Sequence, residues 1–346
     1  MYCCADCFGD SFLDHYIPEI SRQVGMVGTC SFCSTIQTAL IRPSELQDYF
    51  QAVVSIYSED TTNDAKPLVS WFQEDWQIFT TLDPVKAKSL LGEILNDGEI
   101  VRKRHLPRHI TELASVEKWA TFRNEIMWKN RFFFRNELDL ESLKALFDTY
   151  LETDTSAFGN HLYRARIQSD DTVIPLANMG RPSAQQVKNG RANPVGIPYL
   201  YAASTPETAI AETRPHPGDR LSVARFRVTE SLRLLNLQHP RKTISPFGDV
   251  YDSDLLALRH DLAFLSHLEG ELSKPILPRV ADLEYLPTQY LCEFIKNCGY
   301  DGVVFKSSIS NGANVALFDD IKVQADTLML YEVTKLHYEQ IVIAPH

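Results

Sequence analysis

Apolar residues in the first half of the chain recur with the three-to-four-residue period of helices. In one segment, which begins at Asp83-Pro84, the apolar side includes Leu90, Leu91 and Ile94. Proline suits the first turn of a helix because its missing N–H would have no helical partner there. Similar spacing recurs over three further stretches, at residues 44–53, 111–135 and 139–151. The pattern therefore predicts a mostly helical region from residue 44 to about 155.

The pattern changes after residue 160, where short apolar runs of strand length alternate irregularly with helical segments. The strand candidates lie at residues 161–167, 197–201, 221–228, 233–237, 302–305, 315–318 and 340–344. The helical segments lie near residues 206–214, 252–268 and 286–297. Because strands and helices do not alternate regularly, we predict an α+β domain over residues 156–346 rather than a doubly wound parallel sheet.

Composition narrows the classes of function. Lys and Arg total 34 and Asp and Glu total 45 among 346 residues, which gives a formal net charge of −11. Nucleic acid is not an expected partner of such an acidic chain, because phosphate contacts need clustered cations. No run approaches the 18 apolar residues of a membrane span, and the segment MYCCADCFGD lacks the basic and apolar regions of a secretion signal. We therefore expect a cytoplasmic protein without a membrane partner.

The cysteines cluster near the beginning of the chain, where five of the seven lie in the first 33 residues. Cys4-x2-Cys7 and Cys30-x2-Cys33 form two pairs, and each pair places two thiolates on one tight turn. Four thiolates complete the tetrahedral shell that Zn²⁺ accepts in structural sites. We predict that these four cysteines hold a structural zinc ion, with a hairpin or loop between the two pairs.

Two further residues are alternative ligands. Cys3 adjoins Cys4, although only Cys4 has the two-residue spacing to Cys7, and His15 lies between the two pairs. A ribbon of this size has too little core to fold alone, so a metal would stabilise it directly. We therefore divide the first part of the chain into a closed zinc ribbon over residues 1–40 and a helical domain over residues 41–155.

The segments with the richest chemistry lie in the predicted α+β domain. Residues 190–201, GRANPVGIPYLY, join a loop rich in Gly, Pro and Asn to a short apolar strand and place Arg191 in the loop. The stretch Ser204-Thr-Pro-Glu207 is a capping box, and the helix that it begins carries Glu212. Residues 299–308, GYDGVVFKSS, run from a turn through a strand into two serines.

These segments, taken in order, resemble the RES domain, a family named for its Arg, Glu and Ser residues. The matching stretches are HLYRARI (161–167), MGRPS (179–183), GRANPVGIPYLYAA (190–203), ETAIAETRP (207–215) and GYDGVVFKSS (299–308). The resemblance covers nearly half of the chain. It implies a fold similar to that of ADP-ribosyltransferases and an enzyme that consumes NAD⁺, as several toxins of toxin–antitoxin pairs do.

The resemblance also implies which residues form the site. The first Arg of the family falls on Arg164, with Arg166 as an alternative on the same strand. The second Arg falls on Arg191, and the family's Tyr and Glu fall on Tyr201 and Glu212. The Ser falls on Ser307, with Ser308 as the alternative, because Lys306 stands where some members have proline.

The chemistry of NAD⁺ cleavage suits these residue types. Breaking the bond between nicotinamide and ribose builds positive charge on the ribose, which a carboxylate such as Glu212 stabilises. The guanidinium groups of Arg164 and Arg191 match the oxygens of a diphosphate. Tyr201 offers a flat face to the cationic nicotinamide ring, and Ser307 donates a hydrogen bond to an amide or phosphate oxygen rather than acting as a nucleophile.

The helical region resembles, more loosely, the HEPN-like domain that is fused to some RES domains. Arg104 and His109 have the R-x4-H spacing of HEPN ribonucleases, but Pro107 between them indicates a loop or a helix boundary. A solvated basic loop is the alternative interpretation. If this pair were catalytic, the chain would cleave RNA.

We therefore expect an NAD⁺ glycohydrolase or phosphorylase that acts as a toxin or as an abortive-infection effector against phage. Water, inorganic phosphate and a protein side chain are all acceptors that the sequence leaves open. The alternatives are an ADP-ribosyltransferase with a specific protein target and a zinc-ribbon nucleic-acid-binding protein whose RES domain is inactive. A controlled toxin also implies an antitoxin or regulatory partner protein, and we expect a homo-oligomer.

Overall fold

The computed structural model describes residues 1–108, 114–135, 138–153, 159–170, 172–248 and 252–337. The chain forms two compact units. The first unit consists of residues 1–118 and 239–267, and the second consists of residues 119–238 and 268–346. No helix in the described ranges has both the length and the apolar character needed to cross a bilayer.

Helices are concentrated before residue 151 and after residue 239. They are α1 (Ser11–Val24), α2 (Gln47–Ser55), α3 (Leu68–Trp76), α4 (Pro84–Leu95), α5 (Ala114–Trp128), α6 (Leu140–Tyr150), α7 (Pro206–Glu212), α8 (Pro240–Thr243), α9 (Asp252–Ser273), α10 (Ala281–Glu284) and α11 (Leu286–Asn297). Helix α4 begins as predicted, because the Asp83 carboxylate accepts hydrogen bonds from the backbone N–H groups of Val85 and Lys86.

The strands form three sheets. They are β1 (Val27–Gly28), β2 (Thr38–Ala39), β3 (Tyr57–Glu59), β4 (Lys66–Pro67), β5 (Arg104–Pro107), β6 (Glu152–Thr153), β7 (His161–Ile167), β8 (Leu200–Ala203), β9 (Arg220–Val228), β10 (Leu234–Asn236), β11 (Gly302–Lys306), β12 (Ala313–Leu317) and β13 (Val323–Glu332). Strands β1 and β2 pair with each other, and β3, β5 and β4 form a small sheet in the first unit. The combination of helices and mixed sheets confirms the predicted α+β class.

An eight-stranded sheet is the framework of the second unit. Its strand order is β13-β9-β7-β8-β12-β11-β10-β6, so neighbours in the sheet are mostly not neighbours in sequence. Strands β10 and β11 run parallel, and the other pairs are antiparallel. Leu162, Leu200, Phe226, Val304 and Val315 belong to its buried core. Burial of this face supplies the main driving force for the sheet.

Six of the seven strand candidates from the sequence correspond to strands of this sheet, and His161–Ile167 matches β7 residue for residue. The candidate at 340–344 lies outside the described residues. The sequence analysis missed β13, although it pairs with β9 over Val323–Glu332. Strand β13 is an edge strand whose side chains are mostly half-buried or exposed, so it lacks the apolar run of a central strand.

The segment between the two cysteine pairs differs from the prediction of a hairpin or loop. Helix α1 occupies Ser11–Val24, where Asp10 caps its N-terminus and Leu13 and Ile17 are buried. A helix with a buried apolar side gives this region more core than a metal-only ribbon has. Nearby, the aromatic ring of Phe50 packs against Phe8, Phe72 and Phe247 at centroid distances of 5.7, 5.5 and 4.7 Å.

Candidate functional site

A cavity of about 550 Å³ opens in the second unit beside the large sheet. Strands β7, β8 and β12, the end of β11 and helix α7 contribute residues to its wall, together with the loop at residues 189–191 and residues 272–285. Glu212 is the acidic residue of this wall, and the wall also carries the cations Arg164, Arg191, Arg214 and Lys306. The net charge of the wall is therefore positive in a chain whose net charge is −11.

Glu212 is the last residue of helix α7 and is held by two hydrogen bonds. The hydroxyl of Ser307 donates to its Oε1 over 2.6 Å, and the amide of Asn314 donates to the same oxygen over 2.7 Å. Its Oε2 has no hydrogen-bond partner among the described residues. One carboxylate oxygen is thus fixed, and the other is available to a ligand in the cavity.

Local sequence explains how these three residues meet. Ser307 follows directly after β11, and its N–H donates to the carbonyl of Gly312 over 3.1 Å, which closes the turn into β12. A Cβ on Gly312 would collide with Thr208 Oγ1 in helix α7. Glycine therefore allows this turn to approach α7 closely enough for Ser307 and Asn314 to reach Glu212.

The two candidate serines have different surroundings. Ser307 is buried, and its Oγ also accepts a hydrogen bond from the N–H of Ile309. Ser308 lines the cavity but is exposed. The structure therefore places Ser307 behind Glu212, where it orients the carboxylate, and Ser308 at the surface of the cavity.

Arg164 lies in the middle of β7, where it pairs with Ala224 of β9, and its guanidinium is largely buried at the cavity wall. Its Nη1 has no hydrogen-bond partner among the described residues. Burial lowers the pKa of Arg164 to about 10, so the group remains charged at neutral pH. A buried cation with an open donor is suited to an anionic ligand. The alternative, Arg166, is exposed and donates to the carbonyl of Asn178 over 3.0 Å.

Tyr201 lies on β8 and lines the cavity. Its hydroxyl is occupied, because it accepts from the N–H of Ala192 over 3.0 Å and donates to Asn193 Oδ1 over 2.8 Å. Desolvation by burial raises the pKa of the Tyr201 hydroxyl. A Cβ on Gly190 would collide with Asn193 Oδ1 and would lie 2.6 Å from the Tyr201 hydroxyl oxygen. The hydroxyl of Tyr201 is therefore engaged with the glycine-containing loop through Ala192 and Asn193.

Arg191 is engaged with the backbone at the end of α9. Its guanidinium donates to the carbonyl oxygens of Glu271 and Lys274 over 3.4 and 2.8 Å, and it lies 5.7 Å from the ring centroid of Tyr285. These carbonyls belong to the end of a helix, where a cation is favourable. Burial lowers the pKa of Arg191. The predicted contact between Arg191 and a substrate phosphate stays a prediction.

The residues of the cavity wall that the sequence analysis did not assign to the site include Arg214, Tyr285 and Asn189. Arg214 stands inside the ETAIAETRP stretch, but nothing in its spacing distinguishes it from a solvated arginine. Tyr285 lies more than 70 residues from Glu212 along the chain and reaches the cavity only through the tertiary fold. No local pattern could have found it.

The four predicted cysteine ligands come together in the first unit. The Sγ atoms of Cys4, Cys7, Cys30 and Cys33 all lie within 4.8 Å of one another. The pairs Cys4–Cys33 and Cys7–Cys30 are each separated by 3.3 Å between sulfurs. Four converging thiols fit the tetrahedral Cys₄ shell of a structural zinc ion.

The surroundings of the cluster support the choice of ligands. The N–H of Phe32 donates to Cys30 Sγ over 3.5 Å, a contact that would stabilise a thiolate. Cys3 Sγ points instead to the carbonyl of Ile41, and His15 is exposed on α1 and is not part of the cluster. Among the described residues, Cys4 rather than Cys3 or His15 completes the group.

Comparison with known proteins shows a family and includes a distant structural likeness. The RES domain family matches residues 161–334. A solved structure of the MbcT–MbcA toxin–antitoxin complex of M. tuberculosis aligns with a TM-score of 0.33 and 14% sequence identity, over 56% of this chain and 93% of that chain. No curated protein matches the sequence.

Proposed function

Because the chain belongs to the RES domain family, we propose that the cavity binds NAD⁺ and cleaves its nicotinamide–ribose bond. The observation that carries this proposal is the setting of Glu212. Its Oε1 is held by Ser307 and Asn314, its Oε2 has no hydrogen-bond partner among the described residues, and the residue lines the cavity. A carboxylate held in one orientation does not need to reorganise when positive charge develops in front of it.

In this reaction the bond between ribose C1′ and the nicotinamide nitrogen breaks, and both electrons leave with nicotinamide, which departs neutral. The ribose acquires oxocarbenium character, which Glu212 stabilises electrostatically. An oxygen of the acceptor then bonds to C1′, and any proton on that oxygen passes to solvent. Ser307 and Asn314 act by orienting Glu212, so they are positioning residues.

The positive wall of the cavity supports a substrate that carries phosphate. Arg164 offers an open Nη1 donor in a buried position, where a charge-assisted hydrogen bond is strong. Tyr201 also lines the cavity, and its role as an aromatic face for the nicotinamide is part of the proposal. Arg191 holds the end of α9 in this structure, and its role toward substrate is part of the proposal.

The acceptor is tested by identifying the products. NAD⁺ is incubated with the purified protein in buffer, in buffer with inorganic phosphate, and with a cell extract that supplies protein targets. Free ADP-ribose identifies a glycohydrolase, ADP-ribose phosphate identifies a phosphorylase, and label retained on one protein band identifies an ADP-ribosyltransferase. Intact NAD⁺ under all three conditions would contradict the proposed function.

A toxin or abortive-infection role is a further part of this proposal, because a cytoplasmic enzyme that consumes NAD⁺ must be controlled. An antitoxin or regulatory partner protein and a homo-oligomer remain predictions. The HEPN-type alternative has less support, since the Arg104 guanidinium donates to the backbone carbonyls of Ala65 and Asn63. His109 lies outside the described residues.

The cysteine cluster has a separate role in the proposal. Cys4, Cys7, Cys30 and Cys33 would hold Zn²⁺ as thiolates, and the ion would supply a crosslink between the two ends of the segment that contains α1. With four protein ligands the shell is complete, so we assign the site to stability rather than to catalysis.

A further inference from the structure

Arg214 occupies an unusual backbone position at the wall of the cavity. It follows α7 by two residues, its N–H donates to the carbonyl of Ala211, and Pro215 comes next, so the helix cannot continue. Its φ of +51° lies in the left-handed region. Helices commonly end there on glycine, because a side chain in that conformation costs free energy. An arginine at this position therefore suggests that its side chain has a role that offsets this cost.

The side chain of Arg214 has no partner within the described part of the chain. It is exposed, it lines the cavity, and it takes part in neither an ion pair nor a side-chain hydrogen bond there. Other arginines of the same unit are paired: Arg225 binds Asp326 through two hydrogen bonds, and Arg181 binds Asp320. The nearest carboxylate in sequence, Glu212, is bonded to Ser307 and Asn314 instead.

The charges around the cavity favour an anion beside Arg214. The wall carries four cations and one carboxylate, and the charge of Arg214 acts on Arg191, whose pKa it helps to lower. Like charges that face one cavity repel each other until an anion is bound between them. Arg191 is already satisfied by two carbonyls, so Arg164 and Arg214 are the arginines of the wall with donors to offer.

We propose that Arg214 is a substrate-binding residue that donates hydrogen bonds to a phosphate group of the bound dinucleotide. The inference rests on the proposed function and adds a residue to it. The fork of a guanidinium matches two phosphate oxygens at once. The left-handed turn between Glu212 and Pro215 fixes where the side chain leaves the backbone, so the phosphate is held at a set distance from Glu212.

The test compares Arg214→Gln and Arg214→Gly with the wild type and with Arg227→Gln, which removes an exposed cation that does not line the cavity. Loss of a charge-assisted hydrogen bond should raise KM for NAD⁺ about tenfold to a hundredfold and change kcat less than about threefold. Arg214→Gly should have the same raised KM as Arg214→Gln. Its thermal midpoint should be at least as high as that of the wild type, because glycine relieves the strain of the left-handed backbone. Arg227→Gln should behave as the wild type.

Binding of stable probes separates this inference from the proposed function. ADP-ribose and inorganic pyrophosphate should bind Arg214→Gln about tenfold or more weakly than the wild type, whereas adenosine, which has no phosphate, should bind both equally. If the wild type cleaves NAD⁺ but Arg214→Gln keeps its KM and probe affinities, the role of Arg214 is overturned and the function stands.

Two other outcomes are equally decisive. The wild type could leave NAD⁺ intact and still bind pyrophosphate more tightly than Arg214→Gln does. That result would support the phosphate site at Arg214 and contradict the proposed function. If adenosine binding falls as much as ADP-ribose binding in Arg214→Gln, the residue is structural and the inference is overturned. Failure of the wild type to bind any probe overturns both.

Discussion

Glu212 illustrates how the same residue is ambiguous in sequence and specific in structure. On a short helix beside Arg214 it has the pattern of a solvated surface glutamate. In the fold, Ser307 and Asn314 lie on either side of the β11–β12 turn, and both donate hydrogen bonds to one oxygen of Glu212. The residue types of the site follow from the motifs, but the hydrogen bonds between them depend on contacts about a hundred residues apart.

The two adjacent serines provide a matched test of this orientation. Ser307→Ala removes the 2.6 Å hydrogen bond to Glu212 and should lower the rate of nicotinamide release about tenfold, because the carboxylate loses a fixed partner. Ser308→Ala removes an exposed hydroxyl and should change the rate less than about threefold. A larger loss in Ser308→Ala than in Ser307→Ala would assign the family's serine to the other position.

Substitution of Arg164 should change the stability of the protein and its affinity for ligand in opposite directions. Its buried guanidinium has an open Nη1, so Arg164→Met should raise the free energy of unfolding of the unliganded protein by about 1 kcal/mol. The same variant should bind ADP-ribose at least about tenfold more weakly. Chemical denaturation and calorimetry measure the two effects. A variant that is less stable and binds normally would show that Arg164 is a structural cation.

Among the elements, strands β11 and β12 follow from the sequence because they are mostly buried runs of apolar residues. Strand β13 and helix α1 are among the elements that do not follow from the sequence. Edge strand β13 is half-exposed and carries a bulge between Ala325 and Thr327, so its alternation is broken. Helix α1 lies inside what the cysteine spacing suggests is a loop, because the spacing constrains only the ends of that segment.

Strand β11 leads into Ser307, the hydrogen-bond partner of Glu212, and depends on close packing at its first residue. A Cβ on Gly302 would lie 2.7 Å from the carbonyl oxygen of Ala316 and 2.9 Å from Leu317. Gly302→Ala should therefore lower the free energy of unfolding by about 1–3 kcal/mol and reduce nicotinamide release as the strand shifts. Thermal denaturation and the rate assay measure both effects.

Gly270 supplies the control for that substitution. It lies within helix α9, and a Cβ there meets no atom within 4 Å. Gly270→Ala should raise the free energy of unfolding by about 1 kcal/mol, because alanine favours the helix. Equal effects of the two alanine variants would contradict the close packing at Gly302.

At the scale of the whole molecule, the sequence predicts a metal-binding N-terminal segment and a C-terminal domain that consumes NAD⁺. The metal cluster is predictable because each CxxC pair is a local feature that needs only one tertiary contact to meet the other pair. The cavity is harder to predict, since its wall draws on segments from Tyr163 to Asn314. The domain boundaries at residues 40 and 155 stay predictions.

The cysteine cluster predicts one zinc ion per chain. Metal analysis of the purified protein should give a ratio near one, and Cys30→Ser should lose the metal and lower the thermal midpoint by several degrees, because metal binding contributes to folding. Cys298→Ser, which changes a thiol outside the cluster, should keep both. A Cys30→Ser variant with full zinc content and an unchanged midpoint would contradict the site.

The most direct measurement compares the rates of nicotinamide release from NAD⁺ by the wild type, Glu212→Gln and Glu207→Gln. Both glutamates lie on α7 and both are exposed, but only Glu212 lines the cavity. We expect release by the wild type and by Glu207→Gln at similar rates, and a loss of about a hundredfold or more in Glu212→Gln. Equal rates in the two variants would contradict the assignment of this cavity as the site that cleaves NAD⁺.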